Sequence, residues 1–253
     1  MSSYRLSSPV EGVFFVQGPS VNWVIVAGTE GAVLIDTGYP GDADAVRASL
    51  GEAGYAVADL AAILITHGHG DHQGNAAALA AEAGCPVYAD PAELPNIRRD
   101  ILEQVAVPDL LPHLFRRGVL RWALHAIRAG GKSAAPVVAV NAFPRAVDAR
   151  RRFGVEIVPV PLPGHTRGHT AYLLPAQGVL VVGDALVTAH PTSGLQGPQL
   201  LPSVFHGSPS GAAQALARLD PVSAQFVLPG HGPLLRSTPA QAAARASEVG
   251  AAF

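Results

Sequence analysis

The sequence predicts an α/β protein with mixed sheets, and three observations carry that prediction. β-Branched apolar runs alternate with Ala-rich helical stretches along most of the 253 residues. Apolar residues make up 49% of the chain against 14% charged, enough for a large buried core. Glycine and proline, 27 and 22 of them, fall mostly between the runs.

VFFVQG (13–18), NWVIVAG (22–28) and GAVLIDTG (31–38) are short strands separated by Gly-Pro and Gly-Thr-Glu-Gly turns, a meander of hairpins. Residues 42–54 place apolar side chains at helical spacing and stop at Gly54. LAAILIT (60–66) is a continuous apolar run, the pattern of a strand buried on both faces. An Ala-rich helix at 73–84 ends at Gly84, and CPVYAD (85–90) is a further strand. The last third repeats the theme, with strands at 155–161, 170–175, 178–184 and 224–232 and a helix at 210–219.

Residues 93–152 differ in character. They hold 11 of the 17 basic residues against five acids, a local net charge of +6. Helices are expected at 97–107 and 110–129, broken by Pro108 and Gly130-Gly131. We read this stretch as a helical insertion and lid candidate within one domain spanning 1–253. Leu111, Leu114, Phe115 and Trp122 are expected on its inner side, with Arg116, Arg117 or Arg121 facing the cleft mouth. The charge reads either as a solvated face or as recognition of an anionic substrate.

Several function classes are excluded. A net charge of −2 gives no nucleic-acid footprint over the whole surface. The single cysteine, Cys85, makes neither an internal disulfide nor a thiolate cluster, and no Gly-x-Ser-x-Gly elbow occurs. The first residues lack a secretory signal pattern, and no apolar run approaches the ~18 residues of a membrane span. A cytoplasmic protein with a small-molecule substrate and no membrane partner is expected.

The ten histidines are the informative residues. THGHGDHQGN (66–75) puts His67, His69, Asp71 and His72 within six positions, directly after the buried strand. In an extended loop, residues two apart share a side, so His67 and His69 can grip one ion while Asp71 and His72 turn toward a neighbouring position. Imidazole and carboxylate are ligands for zinc, and also for iron or manganese. The glycine spacers are expected to let the backbone turn tightly. Four other runs also end in polar groups: VLIDTG in Asp36, VPVPLPGHT in His165, GVLVVGD in Asp184 and FVLPGH in His231. If these strands point one way, their ends meet in one cleft.

On the His-x-His-x-Asp-His motif at 67–72, Pro-Gly-His-Thr-x-Gly-His at 163–169, Gly-Asp at 183–184 and Pro-Gly-His at 229–231, the sequence resembles the metallo-β-lactamase-fold hydrolases. The resemblance covers roughly 13–90 and 155–232. It implies an αβ/βα four-layer sandwich, two mixed sheets flanked by helices, with a two-metal centre at the sheet edges. It further implies that His67, His69 and His165 hold one metal, that Asp71, His72 and His231 hold the second, and that Asp184 bridges both. Asp36 would brace the loop from behind. Two zinc ions per chain are expected, with iron or manganese as alternatives, and a metal-bridged hydroxide whose pKa is lowered toward ~7. Asp71 would orient that hydroxide.

The implied reaction is hydrolysis of an ester-like bond, a thioester or lactone before a phosphoester. A bridging aspartate at position 184 is not the pattern of true zinc β-lactamases. Glyoxalase II-type thioesterases share all seven ligands but carry a helical domain after the last histidine, where this sequence has 22 residues. Persulfide dioxygenases with one iron, and phosphodiesterases or nucleases of the same fold, are the alternatives. His169 is expected either behind His165 or in a capped turn. His190 and His206 either line the substrate cleft or are solvated loop residues, and Arg167 could reach a substrate carboxylate.

Overall fold

The hydrophobic pattern that made several runs apolar at every position has a simple origin: each strand is covered on both faces. The structure is a computed structural model that describes residues 4–144 and 146–251. Arg145, one of the basic residues of the central stretch, lies outside the described residues. The first sheet begins with the strands β1 (Arg5–Val10), β2 (Val13–Gln17), β3 (Asn22–Gly28) and β4 (Gly31–Ile35), an antiparallel meander. Helix α1 (Ala43–Glu52) then crosses to β5 (Leu60–Leu64), and α2 (Ala76–Ala83) crosses to β6 (Val87–Ala89), both strands parallel to β4.

Three short helices follow, α3 (Leu94–Ile97), α4 (Val107–Leu110) and α5 (Val119–Arg128), before β7 (Val140–Ala142) adds a parallel edge strand beside β6. Helix α6 (Ala146–Phe153) leads to the second sheet. That sheet holds β8 (Val158–Pro161), β9 (Thr170–Leu174), β10 (Val179–Gly183), β11 (Phe226–Pro229) and β12 (Leu235–Arg236), in the order β12-β11-β10-β9-β8. Helices α7 (Pro209–Ala215) and α8 (Pro239–Val249) complete the chain.

Period-two alternation sorts the strand residues into layers. Val24, Val26, Val33, Ile35, Ala62 and Leu64 face the other sheet and meet Tyr172, Leu174, Val179, Val181 and Leu228. Their neighbours Ile25, Ala32, Leu34 and Ile63 pack outward on Ala45, Val46 and Leu50 of α1 and Leu79 of α2. On the far side, Leu180, Val182 and Val227 pack on Ala215 of α7 and on Ala242, Ala243 and Ala246 of α8. The result is the expected αβ/βα sandwich. Strands β4 and β5 run parallel, as do β10 and β11, so Asp36, His67, Asp184 and His231 all follow the carboxyl ends of strands.

The central stretch departs from expectation in two places. No helix spans 97–107: α3 stops at Ile97, and Arg99 sits at φ +65°, in the left-handed region that ends a helix. Nor is 110–129 one helix. Pro112 confines residues 111–113 to a tight 3₁₀ turn, and Gly118 at φ +76° starts α5 afresh. The edge strands β1, β7 and β12 and helices α6 and α8 have no counterpart in the sequence-based reading. Helix α8 did carry a signal, since Thr238 and Gln241 form a capping box with Pro239 at the first helical position between them. Among the described residues, no helix is long and apolar enough to cross a membrane.

Candidate metal centre

The loop after β5 delivers His67, His69, Asp71 and His72; the loops after β8, β10 and β11 deliver His165, Asp184 and His231. These side chains converge. Ligand atoms of His67, His69 and His165 lie within 4.8 Å of one another, as do those of Asp71, His72 and His231, and those of His67, His72 and Asp184. The Asp184 carboxylate sits between the groups, 3.2 Å from His231 Nε2, 3.5 Å from His72 Nε2 and 3.6 Å from His165 Nε2.

Each imidazole has one nitrogen committed to the protein, which decides what the other offers. His72 Nδ1–H donates to Asp36 Oδ2 at 2.8 Å, leaving Nε2 for the site. The Thr66 hydroxyl donates to the same carboxylate at 2.8 Å and accepts from His67 Nδ1–H at 3.0 Å, so the lone pair of His67 is also on Nε2. His231 Nδ1–H donates to the Ser20 carbonyl at 2.6 Å. His69 is reversed: its Nε2–H donates to the Glu103 carbonyl at 2.6 Å, and Nδ1 faces inward.

His165 is set by a relay. His206 Nε2–H donates to the Leu201 carbonyl at 3.0 Å, so His206 Nδ1 must accept; it takes His165 Nδ1–H at 3.2 Å, and His165 Nε2 is left bare. Replacing His206 by Phe removes that acceptor while keeping a ring in place. Metal affinity is expected to fall by about 10–100-fold, as for other partners that orient ligand histidines. Chelator competition measures it, and unchanged affinity would make His206 a packing residue only.

The donor set fits a borderline divalent cation. His67 Nε2, His72 Nε2 and Asp184 Oδ1 are buried with no hydrogen-bond partner among the described residues. His165 Nε2 and His69 Nδ1, both lone-pair atoms, face each other at 3.1 Å, an arrangement that calls for positive charge between them. Burial pushes His67 and His165 well below the ordinary imidazole value, with neighbouring histidines adding to the shift. Burial also presses on His72 and His231, yet Asp184 and Asp71 raise both, with Asp36 adding to the rise at His72. Burial opposes ionisation of Asp184, but His231 and His72 hold it well below the usual carboxylate range.

Asp36 has φ +60° and also accepts the Thr66 N–H at 2.9 Å, so one buried carboxylate fixes the start of the loop and one ring of the cluster. His169 accepts the Asp184 N–H on Nε2 at 3.0 Å; burial lowers its pKa to about 3, and it orients the Asp184 backbone. His190 and His206 are buried, so neither is a solvated loop residue. His190 Nδ1 accepts from the Thr192 N–H at 3.3 Å and hydroxyl at 2.7 Å, which puts its proton on Nε2 beside the His231 ring. The Arg167 guanidinium pairs with Glu103. Cys85 has its thiol pushed up to about 11 by burial, which keeps it protonated.

One reading changes. Gly70 is not needed for a left-handed turn; a Cβ there would strike the Gly131 carbonyl, so the spacer admits the turn after α5. At Gly230 a Cβ would strike Asp184 Oδ1, so only glycine lets β11 pass this close to the cluster. The sequence reading also missed Glu93. This fully buried carboxylate accepts the Gly68 N–H at 2.7 Å, Asn96 Nδ2 at 2.6 Å, the Thr166 hydroxyl at 2.8 Å and the Gly168 N–H at 2.9 Å. It ties the two histidine loops together. Its only sequence signal is an acid in an otherwise apolar context. Tyr39 was missed too; it is buried, and burial together with the nearby Asp71 pushes its hydroxyl well above the usual phenol range.

Comparison with known proteins agrees with this geometry. The family described as the metallo-beta-lactamase superfamily matches residues 16–231. The chain is 28% identical over 242 residues to the "probable metallo-hydrolase YflN" of Bacillus subtilis (strain 168), covering 90% of this chain and 83% of that protein. It is 31% identical over 208 residues to the hydroxyacylglutathione hydrolase of Dechloromonas aromatica (strain RCB), covering 82% of this chain and 53% of that protein. Among solved structures, BJP-1, a subclass B3 metallo-beta-lactamase of Bradyrhizobium japonicum, superposes with a TM-score of 0.65 at 17% identity, covering 98% of this chain and 92% of that one.

Proposed function

The chain belongs to the metallo-beta-lactamase superfamily of metallo-hydrolases, and from that premise we propose that it hydrolyses an ester-like bond, a thioester or lactone, at a two-zinc centre. The observation that carries the reading is the set of five imidazoles, each with one nitrogen tied to the protein and the other turned into overlapping clusters that Asp71 and Asp184 complete. His67, His69 and His165 would hold one ion, Asp71, His72 and His231 the other, with Asp184 between them. Bound divalent cations supply Lewis acidity and a hydroxide nucleophile at neutral pH.

The protein's own groups supply orientation. The Asp71 carboxylate, whose Oδ2 lies 3.6 Å from His231 Nε2, would orient the attacking hydroxide toward the scissile carbonyl. His190, neutral because burial lowers its pKa well below the ordinary value, presents Nε2–H from the wall as a donor to the substrate carbonyl. Part of the 93–152 stretch covers these groups as a lid.

Metal analysis of the purified, metal-saturated protein is expected to give close to two ions per chain. A screen of thioesters, lactones, phosphodiesters and persulfide then separates the reactions. One tightly bound iron per chain with persulfide oxidation would replace this reading with the mononuclear oxidoreductase one.

A further inference from the structure

Two cavities of opposite character meet at the cluster. The first, about 230 Å³, has His69, Asp71, Asp184 and His231 at one end, while its walls include Leu110, Leu114, Trp122, Ala123, Ile127 and Phe205. The second, about 1110 Å³, is polar and includes Thr166, Ser208, Gln214 and Arg218. His165, Gln104, Val105 and Phe205 line both, so the junction lies at a residue of the cluster itself.

We propose that the substrate is an acyl ester or thioester whose medium-length apolar acyl arm fills the smaller chamber while its polar leaving group lies in the larger cleft. This deepens the ester-hydrolase reading above and rests on it.

A polar acyl group in the chamber would lose its hydration against a wall of leucine, isoleucine and aromatic carbon without gaining partners. Charge points the same way. Arg116, Arg117 and Arg121 are exposed and none lines the chamber; among the described residues the one lysine or arginine that does is Lys132, itself exposed. Sequence had placed Phe115 on the inner side, but it is fully exposed, whereas Leu111, Leu114 and Trp122 do line the chamber.

Size sets the chain length. At roughly 30 Å³ per water-sized group, 230 Å³ takes about seven or eight heavy atoms. Leu111, Leu120 and Ile127 line the chamber yet are each more than half exposed, so its outer rim opens to solvent and a longer chain gains little by extending past it.

The test uses the full, zinc-loaded chain and S-acyl-N-acetylcysteamine thioesters from acetyl to dodecanoyl. Each methylene buried in a fitting apolar site is worth about fourfold, the equivalent of ~0.8 kcal/mol. We expect kcat/KM to climb by up to about 16-fold per two carbons and level off near octanoyl. Ala123→Phe, at a half-buried position on the chamber wall, is expected to lower the octanoyl-to-acetyl ratio at least tenfold.

A second readout needs no turnover. Trp122 is one of two tryptophans, and the other, Trp23, is buried in the outer core and bonded to Ser49, away from the site. Titrating metal-free protein with 1-octanol is expected to change tryptophan emission saturably, while 1-butanol at equal concentration does not and Ala123→Phe abolishes the response. A saturable octanol response without hydrolysis of any thioester or lactone overturns the ester reading and keeps the chamber. Rates flat in chain length, or no saturable response, overturn the acyl-arm assignment.

Discussion

Asp184→Asn is expected to lower turnover at least ~100-fold and, with two metal ions bound as proposed, to cost the protein one of them. The carboxylate lies within 3.6 Å of the inward nitrogens of His72, His165 and His231, so it is the group placed to neutralise two cations at once. Asparagine keeps the shape but brings an amide NH₂ into a ring of bare imidazole nitrogens. That NH₂ can donate to the same lone pairs the metals need. The fold should therefore survive, with a melting temperature close to the parent's, while metal content drops. His169→Gln is the control, because a glutamine carbonyl can still accept the Asp184 N–H that His169 accepts now. Metal analysis and kcat on both variants decide the matter; equal losses at the two positions would show that Asp184 acts through its backbone placement and not as the bridge.

The second large effect is expected at Asp36. Its side chain accepts the Thr66 N–H, the Thr66 hydroxyl and His72 Nδ1–H, all buried. Asp36→Ala strands these donors at about 1–3 kcal/mol each, a large share of the ~5–15 kcal/mol that holds a typical domain together. Thermal melting should fall by roughly 10 °C or more. Asp36→Asn separates stability from metal binding. Its amide can donate to His72 Nδ1, which drives the ring proton onto Nε2, where the ion would sit. That variant should melt near the parent and yet bind the second ion much more weakly. Normal metal content in Asp36→Asn would mean that the His72 tautomer is not set by this carboxylate.

Much of the fold and nearly all the cluster were legible in the sequence, for reasons that can be named. A strand buried on both faces writes a continuous apolar run, as LAAILIT does, and a ligand that follows such a run is delivered to the sheet edge wherever the strand lies. His67, Asp184 and His231 obey this, and Gly-rich spacing put His69, Asp71 and His72 beside them. Edge strands write no such run. The three residues Val140–Ala142 become β7 only because β6 offers unpaired backbone groups. The mistaken helix at 97–107 has a related cause: local propensity favoured it, but Asn96 and Glu103 are held by the cluster's loops, and Arg99 takes the left-handed turn that lets them reach.

By itself, then, the sequence determined an α/β protein with mixed sheets and the identity of the converging histidines and aspartates, because hydrophobic periodicity and short-range spacing are local properties of the chain; the sandwich came from the family resemblance those residues carry. Only the tertiary structure decided which nitrogen each histidine presents and what stands over the cluster. Those depend on partners far apart in sequence: His231 is tied to a carbonyl 211 residues away, His165 to His206, and Glu93 clasps Gly68 and Gly168 from between them. Hydrogen-bond geometry of this kind is fixed by packing, which no window of neighbouring residues records. The apolar chamber is likewise a volume left between α5, the loop after β10 and the sheet edge, and a volume has no sequence of its own.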